Sequence, residues 1–363
     1  GLPPGFNISS ATGEITGNTD EVGTSAFTVT VSGTNAAGTT RTASQSYLLK
    51  VTDPASYPFQ LPLTLSGYTG SSTLSQSPVL VEFNSSISGF SYNSLLSSQG
   101  DDLRFFSADG EELPYEIETW NPAGTSRIWV RSGAISGNST VITAVWGKST
   151  DSTSPSYVSD KSAWSNRYLG AWHFQNLVGN ALADSSPKNY QGTAEGDGVS
   201  VTTGQVGQAV TLAGSDDRVK LGRSARSPGK VCTVSMWVQI APGANLNQGD
   251  VLLGNKNTNT GTSGWNLYKG TSSSTRLYLR ASGSQSRYKT AVTSWNNGNW
   301  YYLAVAFDGS TGATFYANGS SLGTSNSIDL TVDSDEDLLL GDAIYSTDEW
   351  KGSFDELRIA SGL

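Results

Sequence analysis

Apolar and polar residues alternate with a period of two along most of the chain. The clearest runs are AFTVTVS (26–32), SYLLKV (46–51), PVLVEF (78–83), RIWVRS (127–132), VITAVW (141–146), VSMWVQI (234–240), LYLRAS (277–282) and YYLAVAF (301–307). Each is short, rich in β-branched and aromatic residues, and bounded by Gly, Asn, Ser or Pro, the signature of a strand with one face on a core. No 12-residue stretch carries a capped 3.6-residue apolar stripe. The pattern therefore predicts an all-β chain of tandem β-sandwiches.

Two seams interrupt it. Thr52-Asp53-Pro54 follows the strand that ends at Val51, and Pro54 and Pro58 stop the ladder and stiffen a short connection. Residues 148–162 are poor in bulky apolar side chains and carry Pro155, and the strands beyond them are rich in Trp. The expected modules are 1–53, 54–150 and 163–363. The first is small for a sandwich that stands alone.

Composition narrows the function. Ten Trp, 15 Tyr and 11 Phe supply enough apolar surface for real cores, so the chain is not disordered. Charged residues make up only 15%, and the polarity rests on Ser, Thr, Gly and Asn. A net charge of −9 excludes the basic surface that nucleic-acid binding needs. No apolar run reaches the ~18 residues of a membrane span. Cys232 is the single cysteine and His173 the single histidine, which removes disulfide frameworks, Cys-rich zinc sites and His clusters. Such a chain suits a bacterial-type exported protein, extracellular or at the cell surface. Its start, GLPPGF, has neither a charged end nor an apolar core, so the chain is expected to be an internal piece of something longer.

Three segments carry resemblances. In residues 1–53, Leu2, Pro3, Pro4, Gly5, Ile8, Thr12, Gly13, Ile15, Gly17, Phe27 and Val29 resemble the latter part of the immunoglobulin-like, cadherin-like repeats of bacterial surface proteins. The resemblance implies that the first strands of such a domain come from an adjacent repeat or another copy. Asp102, Leu103, Arg104, Phe105, Gly110, Leu113, Tyr115, Glu116, Glu118, Trp120, Trp129 and Val130 are similar to an uncharacterised β-sandwich family found before lectin-like modules. Residues 163–363 resemble a laminin-G-like, concanavalin-A-like jelly roll. AWHF (171–174), GQVGQAVTLAGSDDRVKLG (204–222) and LLLGDAIYSTDEWKGSFDELRI (338–359) carry that resemblance.

Candidate chemistry is sparse. His173 lacks a nucleophile motif beside it and is expected to be structural. Glu116 and Glu118 share one strand face at ~6.5–7 Å, which two-carboxyl hydrolysis permits, but a solvated strand face explains them as well. No enzyme is expected. Acidic residues cluster at turns of the last module, and calcium takes hard oxygens from such loops. The jelly-roll resemblance points to Asp184 and Asp355, with Asp217 behind them, as ligands of a structural Ca2+; the other expectation is solvated turn-formers. Trp265, Tyr268, Tyr345 and Trp350, with Tyr278 and Tyr288, are candidates for stacking on a glycan, whereas Trp237 and Trp300 are expected in the core.

Two functions follow from these expectations. The first is an extracellular adhesive or structural segment of a large repeat protein, partnered by copies of itself or adjacent repeats and forming filaments by strand sharing. The alternative is a lectin-like module that binds cell-surface glycans as part of a larger exported protein.

Overall fold

The computed structural model describes residues 2–19, 21–165, 167–214, 216–222, 231–244, 250–255, 264–269, 277–281, 286–289, 296–308, 312–326, 336–342 and 349–362. At 277–281, 286–289 and 326 the description covers the backbone alone. The chain is all-β, as the alternation predicts: strands, a few three-residue 3-10 turns, and no α-helix among the described residues. Among the described residues no helix is long and apolar enough to cross a membrane. Two compact units form, one from residues 1–73, 88–113 and 136–154, the other from 74–87, 114–135 and 155–363.

The first unit contains a three-stranded antiparallel sheet. Val141–Trp146 lies at its centre, between Phe59–Thr64 and Arg104–Ser107. Its alternation buries Ile142, Ala144 and Trp146, and Phe59 and Phe90 pack on the Trp146 ring at 5.8 and 5.4 Å. Two buried carboxylates brace the loops. Asp102 accepts from the amides of Leu96, Ser97 and Gly147, and Asp151 accepts from the Tyr57 hydroxyl at 2.7 Å and pairs with Lys50.

The same unit holds a long hairpin of Gly23–Thr34 and Thr40–Val51. Its two faces differ. One carries Thr and Ser pairs bonded across the strands, Thr28 to Ser46 and Thr30 to Ser44. The other carries Phe27 stacked on Tyr47 at 5.7 Å, with Val29, Val31 and Leu49 in line. That apolar face is only partly covered among the described residues: Val31 is 67% and Tyr47 48% exposed, while Phe27, Val29 and Leu49 are half-buried.

The second unit contains the concanavalin-A-like jelly roll. One sheet runs Ser200–Thr203, Gln208–Leu212, Gly352–Ser361, Val231–Ile240, Trp300–Asp308, Gly312–Ala317, Ser320–Asn326, with Tyr168–Trp172 also paired to Gly352–Ser361. The facing sheet runs Ala181–Leu182, Gly192–Glu195, Arg218–Gly222, Leu338–Leu340, Val251–Gly254, Trp265–Lys269, Leu277–Ala281, Ser286–Lys289. Alternate residues of both sheets, among them Trp172, Met236, Leu252, Leu303, Phe315 and Phe354, form one continuous core. Full burial of each Leu or Phe is worth about 1.5–3 kcal/mol. A smaller sheet, Pro78–Asn84, Thr125–Arg131 and Tyr115–Thr119, belongs to this unit as well. Its Trp129 packs with Trp164, Ala171 and Val206 in a second apolar cluster.

Candidate functional site

Two groupings of side chains lie on the face of the jelly-roll sheet turned away from the main core. The first is aromatic. In Val231–Ile240 the core takes Cys232, Val234, Met236, Val238 and Ile240, so Trp237 points the other way. In Trp300–Asp308 the same alternation buries Tyr301, Leu303, Val305 and Phe307 and turns out Trp300 and Tyr302. The register sets Trp237 opposite Tyr302, with ring centroids 5.2 Å apart. Tyr316 projects on the same side of the next strand, where Ala304 pairs with it. All four rings are half-buried. Polar Ser235, Gln239 and Thr314 share this face.

The second grouping is ionic and largely buried. Trp172 pairs with Leu357, which brings His173 beside Glu356. The pairing of Gly352–Ser361 with Val231–Ile240 shifts register between Asp355 and Arg358, where two residues of one strand face only Met236 of the other. A β-bulge of this kind re-aims a side chain. Glu356 takes a positive φ of 52° there, and its carboxylate reaches His173 Nδ1 at 2.6 Å while also accepting from Arg358. From the small sheet, Glu116 and Glu118 approach the same imidazole, Glu116 Oε2 3.7 Å from Nε2 and Glu118 Oε2 3.7 Å from Nδ1.

Further bonds fix the two glutamates. Glu116 accepts from Ser185 Oγ at 2.6 Å and from the Trp164 indole, and Glu118 accepts from the Trp129 indole and from Gln175. Trp129 stacks on the imidazole at 6.1 Å, and the Arg358 guanidinium lies 4.1 Å over the Trp129 ring. Asp355 Oδ2 accepts from the amides of Gln205 and Val206, both at 2.8 Å. That approach needs a glycine at 204, where a Cβ would fall 2.5 Å from Asp355 Oδ2.

Burial sets the proton balance of this group. It pushes Glu118 and Asp355 up to about 8 each, and the nearby Glu356 charge adds to both shifts. Burial works against a charged His173, yet the charges of Glu356 and Glu116 and the hydrogen bond to Glu356 hold the imidazole well above its usual value. Burial would also raise Glu116 and Glu356. The paired imidazolium keeps both below the usual carboxylate range, helped at Glu356 by Arg358. Among the described residues, Glu118, His173 and Glu356 are the one set of three whose ligand atoms lie within 4.8 Å of one another.

Of the three carboxylates expected to hold calcium, Asp355 sits in this ionic group beside Glu356, and Asp184 and Asp217 have partners of their own. Asp184 is buried and accepts four bonds, from the amides of Ala171, Ser186 and Tyr190 and from Ser186 Oγ, at 2.7–2.9 Å. Burial raises its carboxyl, and those donors work in the other direction. Asp217 accepts from the amides of Gly198 and Ala213 at 2.8 and 3.0 Å. With Asp355, these carboxylates tie separate loops to the sandwich, and among the described residues they do not form one group of ligands.

Stacking on a sugar needs an open ring face, and two of the expected rings lack one. Trp265 and Trp350 are 3% and 0% exposed within the main core, where Trp350 meets Phe354 at 5.7 Å. Tyr268 is half-buried on the same strand as Trp265, and Tyr345 lies outside the described residues. Tyr278 and Tyr288 pair across their strands. Trp237 and Trp300, expected inside, stand on the outer face instead. Period-two alternation separates two faces, and when both bear large apolar residues it does not say which is inward.

The ionic group also departs from expectation. Glu116 and Glu118 do share a face, but the Glu118 side chain is 0% exposed against His173 and not solvated. Sequence reasoning did not single out Glu356 or Arg358. A signal was present: the core residues Phe354, Leu357 and Ile359 are spaced by three and then two, which is the mark of a bulge.

Residues 213–362 match the concanavalin A-like lectin/glucanases superfamily, and residues 99–162 match a domain of unknown function, DUF2341. None of the curated proteins matches the chain. Among solved structures, domain 4 of the extracellular GH43 arabinanase AbnA from Geobacillus stearothermophilus, in complex with arabinotriose, is similar at 20% identity and a TM-score of 0.45, over 54% of this chain and 93% of that one. The binding domain of Paraclostridial Mosquitocidal Protein 1 gives 13% identity and a TM-score of 0.43 over 54% of this chain and 49% of that one. The binding domain of botulinum neurotoxin DC in complex with SialylT gives 14% and 0.42, over 54% and 48%. The chain thus spans about half the length of the two toxin domains it matches.

Proposed function

We propose that the second unit is a carbohydrate-binding module of a larger exported protein, and that a sugar ring stacks on the Trp237–Tyr302 pair. The supporting observation is the position of that pair. Two aromatic rings 5.2 Å apart stand half-open on the outer face of a lectin-type sheet. An aromatic face takes the C–H side of a pyranose, and the half-buried Gln239 and Thr314 offer hydrogen-bond partners for its hydroxyls. Glycan-array screening followed by calorimetry on the best hit tests the reading. Trp237→Ala and Tyr302→Ala, each on the outer face, should weaken binding at least tenfold, about 1.4 kcal/mol, without changing the unfolding midpoint by more than a few degrees. No binding to any glycan would sink the reading, and binding indifferent to both substitutions would remove this face from it.

A second reading, the adhesive segment, draws on a separate observation. The hairpin of Gly23–Thr34 and Thr40–Val51 leaves one apolar face partly uncovered among the described residues, a surface open to a strand or sheet from another copy. Sedimentation velocity checks it. Self-association that disappears in Phe27→Ser with Val31→Ser supports strand sharing, and a monomer at high concentration counts against it.

A further inference from the structure

We propose that Glu118, His173 and Glu356 form a binding site for one divalent transition-metal ion of the zinc class, which clamps the small sheet to the jelly roll within the second unit. The three ligand atoms already converge. His173 Nδ1 lies 2.6 Å from Glu356 Oε1 and 3.7 Å from Glu118 Oε2, and all three atoms fall within 4.8 Å of one another. Ligands at about 2.0–2.2 Å from a zinc ion in tetrahedral array stand a little over 3 Å apart, between these two separations. One imidazole nitrogen with two carboxylates suits zinc, cobalt or manganese, and does not suit calcium or magnesium, which take oxygen alone.

Unsatisfied atoms are an independent observation. Buried polar atoms without a partner are rare in folded proteins. Five side-chain atoms of this kind occur among the described residues, and three of them are His173 Nε2, Asp355 Oδ1 and Arg358 Nε. The His173 ring is 5% exposed, and its unpartnered Nε2 faces Glu116 Oε2 at 3.7 Å. A histidine that ligates through one nitrogen almost always gives the other N–H to a carboxylate, which fixes its tautomer and raises its basicity. Glu116, anchored by Ser185 and Trp164, is placed for that role.

Trp129 and Trp164 pack against the imidazole, and with three protein ligands the ion would keep its fourth tetrahedral position for a water molecule. The ligands come from Tyr115–Thr119, from the residue after Tyr168–Trp172 and from the bulge in Gly352–Ser361, so one ion ties three strands together.

Co2+ is the probe, because its visible ligand-field bands report coordination directly. The full chain, stripped with chelator, is titrated with Co2+ both as folded protein and during refolding from urea, so that access to the buried site does not limit uptake. One equivalent should bind with a nitrogen–oxygen ligand-field spectrum, and Zn2+ should displace it and raise the unfolding temperature. Glu118→Gln keeps the side-chain shape and an acceptor for Trp129 and should fold with an unchanged near-UV spectrum, while losing Co2+ affinity by 10-fold or more. His173→Gln should abolish the spectrum. Absence of stoichiometric Co2+ after refolding, or uptake that Glu118→Gln leaves unchanged, overturns the site.

Discussion

Replacing Asp184 by alanine isolates what a buried carboxylate contributes to the jelly roll. The side chain is 1% exposed and accepts the amides of Ala171, Ser186 and Tyr190 together with Ser186 Oγ. Alanine leaves three N–H groups without an acceptor. The Ala171 and Ser186 bonds are buried and the Tyr190 bond is partly buried. A buried donor left unmade costs about 1–3 kcal/mol. Two such losses and a partial third give about 4 kcal/mol. The damage also spreads, because the loop holds the Trp172 indole through Tyr190 O at 2.9 Å and pairs Ser185 N with Ala171 O at 2.8 Å. For a unit of this size, about 2–4 °C of midpoint accompanies each kcal/mol, so a fall of about 8–16 °C is expected. Urea unfolding followed by tryptophan fluorescence supplies the free energy, and Asp197→Ala, at an exposed turn, should stay within about 0.5 kcal/mol as control. Asp184→Asn keeps one acceptor oxygen and should cost roughly half as much. A change below about 1 kcal/mol in Asp184→Ala would show that water satisfies these amides. A calcium-dependent gain in stability, lost in the same variant, would assign the carboxylate to a metal and refute the bracing role.

Three further outcomes follow from the same structure. Cys232 is buried, and burial pushes its thiol up to about 12, so the native chain should resist a thiol reagent at pH 8 and react fully in denaturant. Gly204→Ala should destabilise the second unit by about 1–3 kcal/mol, because the added carbon meets Asp355 Oδ2 at 2.5 Å; an unchanged urea midpoint would contradict that contact. In the first unit, burial would raise Asp151, but the bonds from Lys50 and Tyr57 win and hold it below its usual value. The folded state therefore binds the proton less tightly than the unfolded chain. The stabilisation is present above the ordinary carboxylate range and is lost as pH falls through the lower, folded value. Asp151→Asn should be less stable than the parent at pH 7, with a gap that narrows toward pH 2; a gap constant with pH would contradict the pairing.

Strand positions and the all-β class were legible in the chain because alternation is a local property. A strand such as VSMWVQI shows its two faces within seven residues, and Gly, Asn and Pro mark its ends. The jelly-roll resemblance was legible from the FDELRI and GQVGQAVTLAG segments. What alternation left open was which face is inward. Trp237 and Trp265 both sit on well-patterned strands, yet the first stands on an outer face and the second in the core. That choice depends on which sheet covers which, a relation between segments far apart in sequence.

The ionic group shows the same limit more sharply. Glu116 and Glu118 were visible as a pair on one strand, and His173 as the single histidine. Nothing local tells that a bulge at Glu356, more than 180 residues beyond His173, turns its carboxylate onto that imidazole. Local sequence sets which residues can form a strand and how its faces differ. Strand pairing and register, set by the burial of the whole core, decide which charges meet and how far from water they do so.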